Sequence, residues 1–456
     1  MPTLPAALLK QLTAAPGFDE PAFVAVHAAA QPPVSVRLHP KKITPEKTEH
    51  LPIAAPVLWA EQGRYLSERP VFSLDPLWHA GAYYVQEASS MAIELAWQHV
   101  PRDRSLQVLD LCAAPGGKST HLLSLMKPAD VLVTNEVISS RVNILLENIT
   151  RWGNANVLVT NNDPKDFGQL DGLFDVLLID APCSGSGLFR RDPEAIREWS
   201  EDNVTLCWQR QQRIIADAWN ALAPGGIFMY TTCSFSPDED EAVVDWVHQQ
   251  FDVESLAVTI PESSGIVTSM SETAQHPCYR FYPNLVKGEG FFMAVFRKKS
   301  AAEGTMISSA KQKAYRTIKA AQPPADVARW VKEEADLRWY MHKEVWYVMP
   351  ANTFDTFAQL QNSVKVRKAG VCVGEMMHQQ LQPDHALAMS NCMNSNIRRI
   401  ELSLPEALKF LRKEAIDVEA EKGWHLVCFQ QVPLGWIKHL GNRSNNYYPK
   451  EWRLRM

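Results

Sequence analysis

The sequence predicts an α/β fold, a mostly parallel Rossmann-like sheet with helices on both faces, with a small α+β segment before it and a compact β module after it. Two observations lead there. From residue 105 onward, short apolar runs alternate with amphipathic stretches, and near-continuous apolar strands separated by helices belong to parallel sheets buried on both faces. The glycine-rich and polar residues between them cluster just past the strands' carboxyl ends, where open α/β sheets bind their ligands.

Upstream of the repeat, Pro33-Val34-Ser35-Val36-Arg37-Leu38 alternates as a short strand, and residues 87–97 pattern as a helix carrying Met91, Ile93 and Leu95. Residues 106–111 (LQVLDL) form the first sheet strand, which opens into a Gly-rich turn and a helix over 118–126. The second strand is 131–134, followed by an amphipathic helix over 139–152. Strands over 157–159, 174–179 (FDVLLI) and 226–230 (GIFMY) come next, and 291–296 (FFMAVF) closes the sheet. Residues 299–325 are polar, with Pro323-Pro324, and read as a linker. A mixed region runs to about residue 390. Ser403-Leu404-Pro405-Glu406 is a capping box starting a helix to about residue 416, and 423–430 and 432–437 alternate as strands. Four segments follow: 1–75, 76–299, 300–390 and 391–456.

At 456 residues, 46% apolar and 21% charged, the composition is that of a globular protein with several cores. No apolar run approaches the ~20 residues that span a bilayer; residues 51–60, for example, are broken by Pro52 and Pro56. No basic segment precedes an apolar core near Met1, so a cytoplasmic protein without a membrane partner is expected. The eight cysteines include no CxxC pair, which argues against structural zinc or a redox dithiol, and no metal is expected. The net charge of −5 hides a basic C-terminal third. Lys438, Arg443, Lys450, Arg453 and Arg455 face only Glu451 near the end, and Lys311, Lys313, Arg316 and Lys319 form a second basic stretch. Interleaved with Trp436, Tyr447, Tyr448 and Trp452, such charges suit phosphate contacts and base stacking; the alternative is a β module with those rings as its core.

Four clusters at strand ends carry the chemistry. The first is the loop Asp110-Leu111-Cys112-Ala113-Ala114-Pro115-Gly116-Gly117-Lys118-Ser119-Thr120. A phosphate loop would need glycine where Cys112 stands, and GxGxxG is absent, so an ATPase built on Gly117-Lys118-Ser119 fails. Gly116-Gly117 still lets backbone approach a nucleoside ligand closely. Glu136, just past the second strand, can accept both ribose hydroxyls or cap the helix that follows; Asp163, past the third, can bind an adenine amino group or make an Asx-turn. The remaining clusters are Asp180-Ala181-Pro182-Cys183-Ser184-Gly185-Ser186-Gly187 and Tyr230-Thr231-Thr232-Cys233-Ser234. A lone buried cysteine is usually inert packing, whereas two cysteines and an aspartate here converge on one crevice. Ser236-Pro237-Asp238-Glu239 reads as a capping box whose acidic run to Glu241 matches a helix dipole.

Together these clusters resemble the Nop/Sun-type RNA (cytosine-5)-methyltransferase family. The family's cofactor loop corresponds to Cys112, Ala113, Ala114, Pro115, Gly116, Gly117 and Lys118, and its acidic cofactor contacts to Glu136, Asp163 and Asp180. Its proline-cysteine and threonine-cysteine motifs are Pro182-Cys183 and Thr232-Cys233. Tyr83-Tyr84-Val85-Gln86-Glu87-Ala88-Ser89-Ser90-Met91 is typical of bacterial members, while Val432-Pro433-Leu434-Gly435-Trp436 and Asn446-Tyr447-Tyr448-Pro449 look like the PUA-like tail of F-type ribosomal-RNA enzymes. The resemblance implies the class I methyltransferase fold with a seven-stranded, mostly parallel sheet, and S-adenosyl-L-methionine held by these residues together with Arg141. The implied partner is RNA, not DNA: small-subunit (16S) ribosomal RNA or the small subunit itself. The catalytic core leaves transfer RNA open as substrate. A ribosome-assembly factor that binds RNA without catalysis is the competing class, and intact Cys233, Cys183, Asp180 and Lys118 argue against it.

Cysteine suits the implied chemistry because C5 of cytosine becomes nucleophilic only after a thiolate adds to C6. DNA enzymes use the proline-cysteine residue for that step and the RNA family the threonine-cysteine one, so the RNA-type flanks favour Cys233. By the same resemblance Cys183 serves release, Asp180 holds the base's N3/N4 edge, and Lys118 holds Asp180.

Overall fold

The computed structural model describes residues 3–299 and 318–455, apart from residues 30, 335 and 379; Lys311, Lys313, Arg316 and most of the expected linker lie outside the described residues. Strands β1 (Val34–Leu38), β2 (Ile53–Val57), β3 (Ala60–Leu66) and β4 (Tyr83–Val85) form an antiparallel N-terminal sheet in the order β2-β3-β1-β4. The central sheet is built on β5 (Gln107–Asp110), β6 (Val131–Asn135), β7 (Val157–Thr160), β8 (Phe174–Asp180) and β9 (Leu222–Thr232), which are parallel in the order β9-β8-β5-β6-β7. Both faces of these strands are apolar. Leu109, Val133, Leu158, Leu177 and Phe228 enter one core, and their neighbours Val108, Leu132, Val157, Val176 and Ile227 enter the other. Successive strand residues point to opposite faces, so a run without polar alternation demands helices on each. Gly117–Leu125 and Ser139–Trp152 cover one face; Glu201–Ala218 and Glu241–Gln250 cover the other.

The sheet has ten strands among the described residues, three more than expected. Strands β10 (Val253–Ser255), β11 (Val267–Met270), β12 (Pro277–Phe281) and β13 (Phe291–Lys298) extend it beyond β9 in antiparallel pairings. The FFMAVF strand β13 therefore does not close the sheet, because β12 and β11 continue past it. The middle region holds β14 (Leu337–His342), β15 (Val345–Pro350), β16 (Val366–Ala369), β17 (Val371–Met377) and β18 (Gln380–Pro383). Of these, β16 leaves its neighbours and pairs antiparallel with β7, covering what would be an open edge. A division at residue 299 thus separates along the chain what the sheet joins.

Three local expectations change. Residues 87–97 run as short successive turns, Ser89–Ala92, Ile93–Ala96 and Trp97–His99; Glu87 stands outside them and accepts the Ser89 and Ser90 N–H groups. The helix after Ser403 keeps its capping box but ends at Leu411, where Lys413 takes a φ of +64°. Ser236 starts no helix: the helix begins at Glu241, and Glu239 and Asp240 turn into the interior at 0% exposure.

The tail, β19 (Arg399–Glu401), β20 (Gly423–Phe429), β21 (Val432–His439) and β22 (Ser444–Asn446), shares a core with the N-terminal segment. Leu77, Ala80 and Tyr83 pack with Phe410, Leu411, Ile437 and Tyr448. Trp436 and Tyr448 are buried, so these two rings are core residues and not free stacking platforms. Trp424 and Tyr447 meet with centroids 4.5 Å apart, and Lys438 lies over Trp424. Because the two ends share this core, Phe410→Ala should destabilise the protein by about 3–5 kcal/mol and speed amide hydrogen exchange in β4 as well as in the tail. Unchanged protection of β4 would mean the two segments are stable independently.

Candidate active site

The turn after β5 sets the geometry. Gly116 caps the helix Gly117–Leu125 at φ +110°, a conformation that favours glycine. Lys118 follows in the first helical turn, and its Nζ lies 2.8 Å from Asp180 Oδ2 at the end of β8. Burial works against the ammonium, but the Asp180 charge and hydrogen bond outweigh it and hold the Lys118 proton more tightly than usual. From β9, Thr231 Oγ1 donates to Asp180 Oδ1 at 2.9 Å. Asp180 is thereby held from two sides while keeping a third of its side chain exposed to the crevice.

The two cysteines meet here. Cys183 Sγ and Cys233 Sγ are 2.9 Å apart and both residues are half-buried. The hydrogen bond with Cys233, then burial, pushes the Cys183 thiol well up. Their loops pack backbone to backbone: Gly187 N donates to Cys233 O at 2.7 Å, and a Cβ on Gly187 would lie 2.3 Å from that oxygen. Glu239, expected in a helix cap, instead accepts from Ser184 N (2.8 Å), Ser184 Oγ (2.5 Å), Ser234 Oγ (2.6 Å) and Gln211 Nε2 (3.1 Å). Asp240 accepts from Thr232 Oγ1 and pairs with buried Arg280, which also binds Glu241.

Around the Gly-rich loop lie the residues expected to hold a cofactor. Glu136 is 3% exposed; its carboxylate accepts from Ile138 N at 2.8 Å and lies 3.3 Å from Arg141, which donates to Ala114 O at 2.6 Å. Arg141 therefore ties Glu136 to the loop 112–118. Asp163 caps the helix Pro164–Phe167 through Lys165 N and lies 3.5 Å from Arg213, so its turn-forming role is realised. Burial pushes the Cys112 thiol up, which suits packing and not attack. The Pro115 carbonyl accepts from Asn148 Nδ2 at 2.9 Å.

In the sequence Asp110 stands in the first cluster without a role of its own, Glu239 reads as part of a helix cap, and Val137-Ile138 gives no signal. Asp110 is fully buried, accepts from Ser119 Oγ at 2.6 Å, and leaves Oδ1 without a hydrogen-bond partner. Its position as the last residue of β5 was the available signal. Val137 and Ile138 are 53% and 48% exposed beside Glu136. A buried acid just past β6 and an exposed apolar pair beside it suit a nucleoside with a ribose diol.

Burial raises Asp110 to a pKa of about 7, so the folded state keeps its proton where the unfolded chain has lost it. Stability from this group is present at low pH and falls as pH rises from about 4 to about 7. The stability of Asp110→Asn relative to the unsubstituted protein should therefore grow across that range and level off above it. Thermal unfolding at several pH values checks this; parallel curves would mean Asp110 ionises without penalty.

Comparison with known proteins agrees with this layout. The family described as 16S rRNA methyltransferase RsmB/F matches residues 98–297. The N-terminal domain of 16S rRNA methyltransferase RsmF matches 4–88, and the methyltransferase RsmF PUA domain matches 397–454. Ribosomal RNA small subunit methyltransferase F of Cronobacter sakazakii is 31% identical over 415 residues, covering 87% of this chain and 84% of that protein. The protein of the same name from Salmonella arizonae is 31% identical over 453 residues, with 93% and 91% covered. Among solved structures, a methyltransferase homologue from Pyrococcus horikoshii is 29% identical with a TM-score of 0.52, covering 65% of this chain and 100% of its own. The three family models together match 4–88, 98–297 and 397–454, the relatives cover 87% and 93% of the chain, and the chain belongs to the RsmB/F family of 16S rRNA methyltransferases.

Proposed function

We propose that this chain methylates C5 of a cytosine in small-subunit (16S) ribosomal RNA, using S-adenosylmethionine and a transient bond from Cys233 to C6 of the base. One observation carries the reading: two thiols 2.9 Å apart share a crevice with the Lys118–Asp180 pair. Relatives named small-subunit methyltransferases F support the choice of RNA.

Addition of the Cys233 sulfur to C6 moves electron density to C5 and makes that carbon enamine-like. Asp180, held by Lys118 and Thr231, hydrogen-bonds the N3/N4 edge and stabilises the charge that develops there. Cys112, Ala113, Ala114, Pro115, Gly116, Gly117, Lys118, Glu136, Arg141, Asp163 and Asp180 would hold S-adenosylmethionine, whose sulfonium would give its methyl group to C5 and leave as S-adenosylhomocysteine. Loss of the C5 proton then restores the C5–C6 double bond, and the S–C6 bond breaks to free Cys233. Cys183 lies next to the attacking sulfur, and its raised affinity for a proton suits a part in release. With Trp436 and Tyr448 buried, RNA contact by the tail rests on Lys438, Arg443, Lys450, Arg453 and Arg455.

Cells lacking the protein should lose a 5-methylcytosine from 16S ribosomal RNA in bisulfite mapping, and Cys233→Ala should fail to restore it. Cys183→Ala should leave protein and RNA joined through Cys233 on a denaturing gel. Restoration by Cys233→Ala would transfer the attacking role to Cys183, and rapid turnover by Cys183→Ala without adduct would reduce Cys183 to packing.

Glu136→Ala removes a charged acceptor for two ribose hydroxyls. Such hydrogen bonds contribute roughly 1.5–3 kcal/mol, so S-adenosylmethionine affinity should fall about ten- to a hundredfold by calorimetry. Glu136→Gln, which keeps an acceptor for Ile138 N, separates ligand binding from capping. Wild-type affinity in both variants would leave Glu136 with the cap alone.

A further inference from the structure

We propose that Glu239 is a positioning residue for the two thiols, a buried carboxylate that binds the loop carrying Cys183 to the loop carrying Cys233 and so sets their separation. The proposal rests on the reading that Cys233 attacks the base and Cys183 serves its release.

The cysteines lie fifty residues apart on turns that follow different strands, so chain connectivity does not fix the distance between their sulfurs. Glu239 supplies what connectivity lacks. One carboxylate oxygen accepts from Ser184 N and Gln211 Nε2, and the other accepts from Ser184 Oγ and Ser234 Oγ. Ser184 and Ser234 are the residues directly after Cys183 and Cys233, so both cysteines hang from neighbours bound to one carboxylate. Gln211 also donates to Pro182 O, just before Cys183. The bracket is itself anchored: Tyr230 Oη donates to the Glu239 carbonyl at 2.6 Å, and the next two acids are paired with Arg280.

Four donors converge on Glu239, and only a carboxylate has acceptors alone to offer them. A glutamine would turn an N–H₂ toward at least one donor, and an alanine would take the acceptor from Ser184 N and both serine hydroxyls in a buried place, with Gln211 keeping only Pro182 O. Burying this charge is unfavourable, and burial raises Glu239's hold on its proton against those hydrogen bonds. A group retained there despite that cost fits a role in placement. The charged and titratable groups around the two sulfurs are Glu239, Lys118, Cys207 and Tyr230, with Asp180 at the end of β8 and Asp240 just before the helix Glu241–Gln250.

The test uses the full-length protein with Glu239→Ala, Glu239→Gln and Ser234→Ala. Diamide, a diazene oxidant that takes two electrons and two protons as two thiols close to a disulfide, reports how readily Cys183 and Cys233 meet. Closure is followed by mass spectrometry of the linked peptides, and methyl transfer to 16S ribosomal RNA is measured alongside. Glu239→Ala should slow closure and kcat at least tenfold, with the KM for RNA and the affinity for S-adenosylmethionine changed less than about twofold. Glu239→Gln and Ser234→Ala should fall between Glu239→Ala and the unsubstituted protein. Unchanged closure and kcat in the folded variants, or equal losses in every parameter that track the folded fraction, would overturn the proposal. If Glu239→Ala does not fold, the two milder variants decide by the same criteria. Diamide closure needs no RNA, so a failure of the RNA reading would appear as absent transfer by the unsubstituted protein while closure still tests the bracket.

Discussion

The ion pair between Lys118 and Asp180, 2.8 Å long and largely out of water, joins strand ends that have no covalent reason to meet. Lys118 belongs to the helix after β5, Asp180 ends β8, and Thr231 of β9 completes the clasp. A buried pair of this kind contributes little net stability, because desolvation offsets much of the attraction. Its consequence is geometric. The Gly-rich loop and the two cysteine loops must present themselves in one orientation, since breaking the pair would leave a charge without a partner in a mostly buried place.

The supporting scaffold extends well beyond the crevice. Arg37 of β1 is fully buried and reaches Gln86, Ser124, Gly117 O and Thr120 while lying over the Trp152 ring. The N-terminal segment thus holds the first turns of the helix that carries Lys118. From the next residue, the Glu87 carboxylate accepts from Ser89, Ser90 and Glu289 backbone N–H groups. Gly290 then donates to Gly187 O, and Gly187 donates to Cys233 O. A chain of hydrogen bonds therefore runs from the segment Tyr83–Met91 to the Cys233 loop. The shared core of Tyr83, Phe410 and Tyr448 carries the same rigidity out to the tail.

Charge is concentrated inside this site to an unusual degree. Asp110, Glu239, Asp240 and Arg280 are all buried, and burial raises the proton affinity of each of these acids. Arg280 relieves Asp240 and Glu241, hydroxyl and amide donors relieve Glu239, and Asp110 keeps one oxygen unsatisfied. A core optimised for stability alone would avoid such groups. Asp110 ends β5, Glu239 and Asp240 lie just before the helix Glu241–Gln250, and Arg280 reaches them from β12; together they mark where folding energy has been exchanged for placement.

The parallel sheet, the Gly-rich loop, the acid after β6 and the cysteines at two strand ends were all legible in the sequence, because each depends on local patterning and on side-chain chemistry that travels with the residue. The breadth of the sheet, ten strands among the described residues, was not, since β16 comes from a region whose own pattern gives no sign of pairing with β7. Nor could spacing reveal that Trp436 and Tyr448 serve as core, as burial depends on what packs against a ring. Ser236-Pro237-Asp238-Glu239 is the sharpest case. Its local pattern matches a helix start, yet donors from residues 184, 211 and 234 drew Glu239 inward. Residue type and order alone determined which groups could do the chemistry. Which of them stand within bonding distance was decided only by the tertiary structure, because those contacts join residues far apart in the chain and exist only once the strands are side by side.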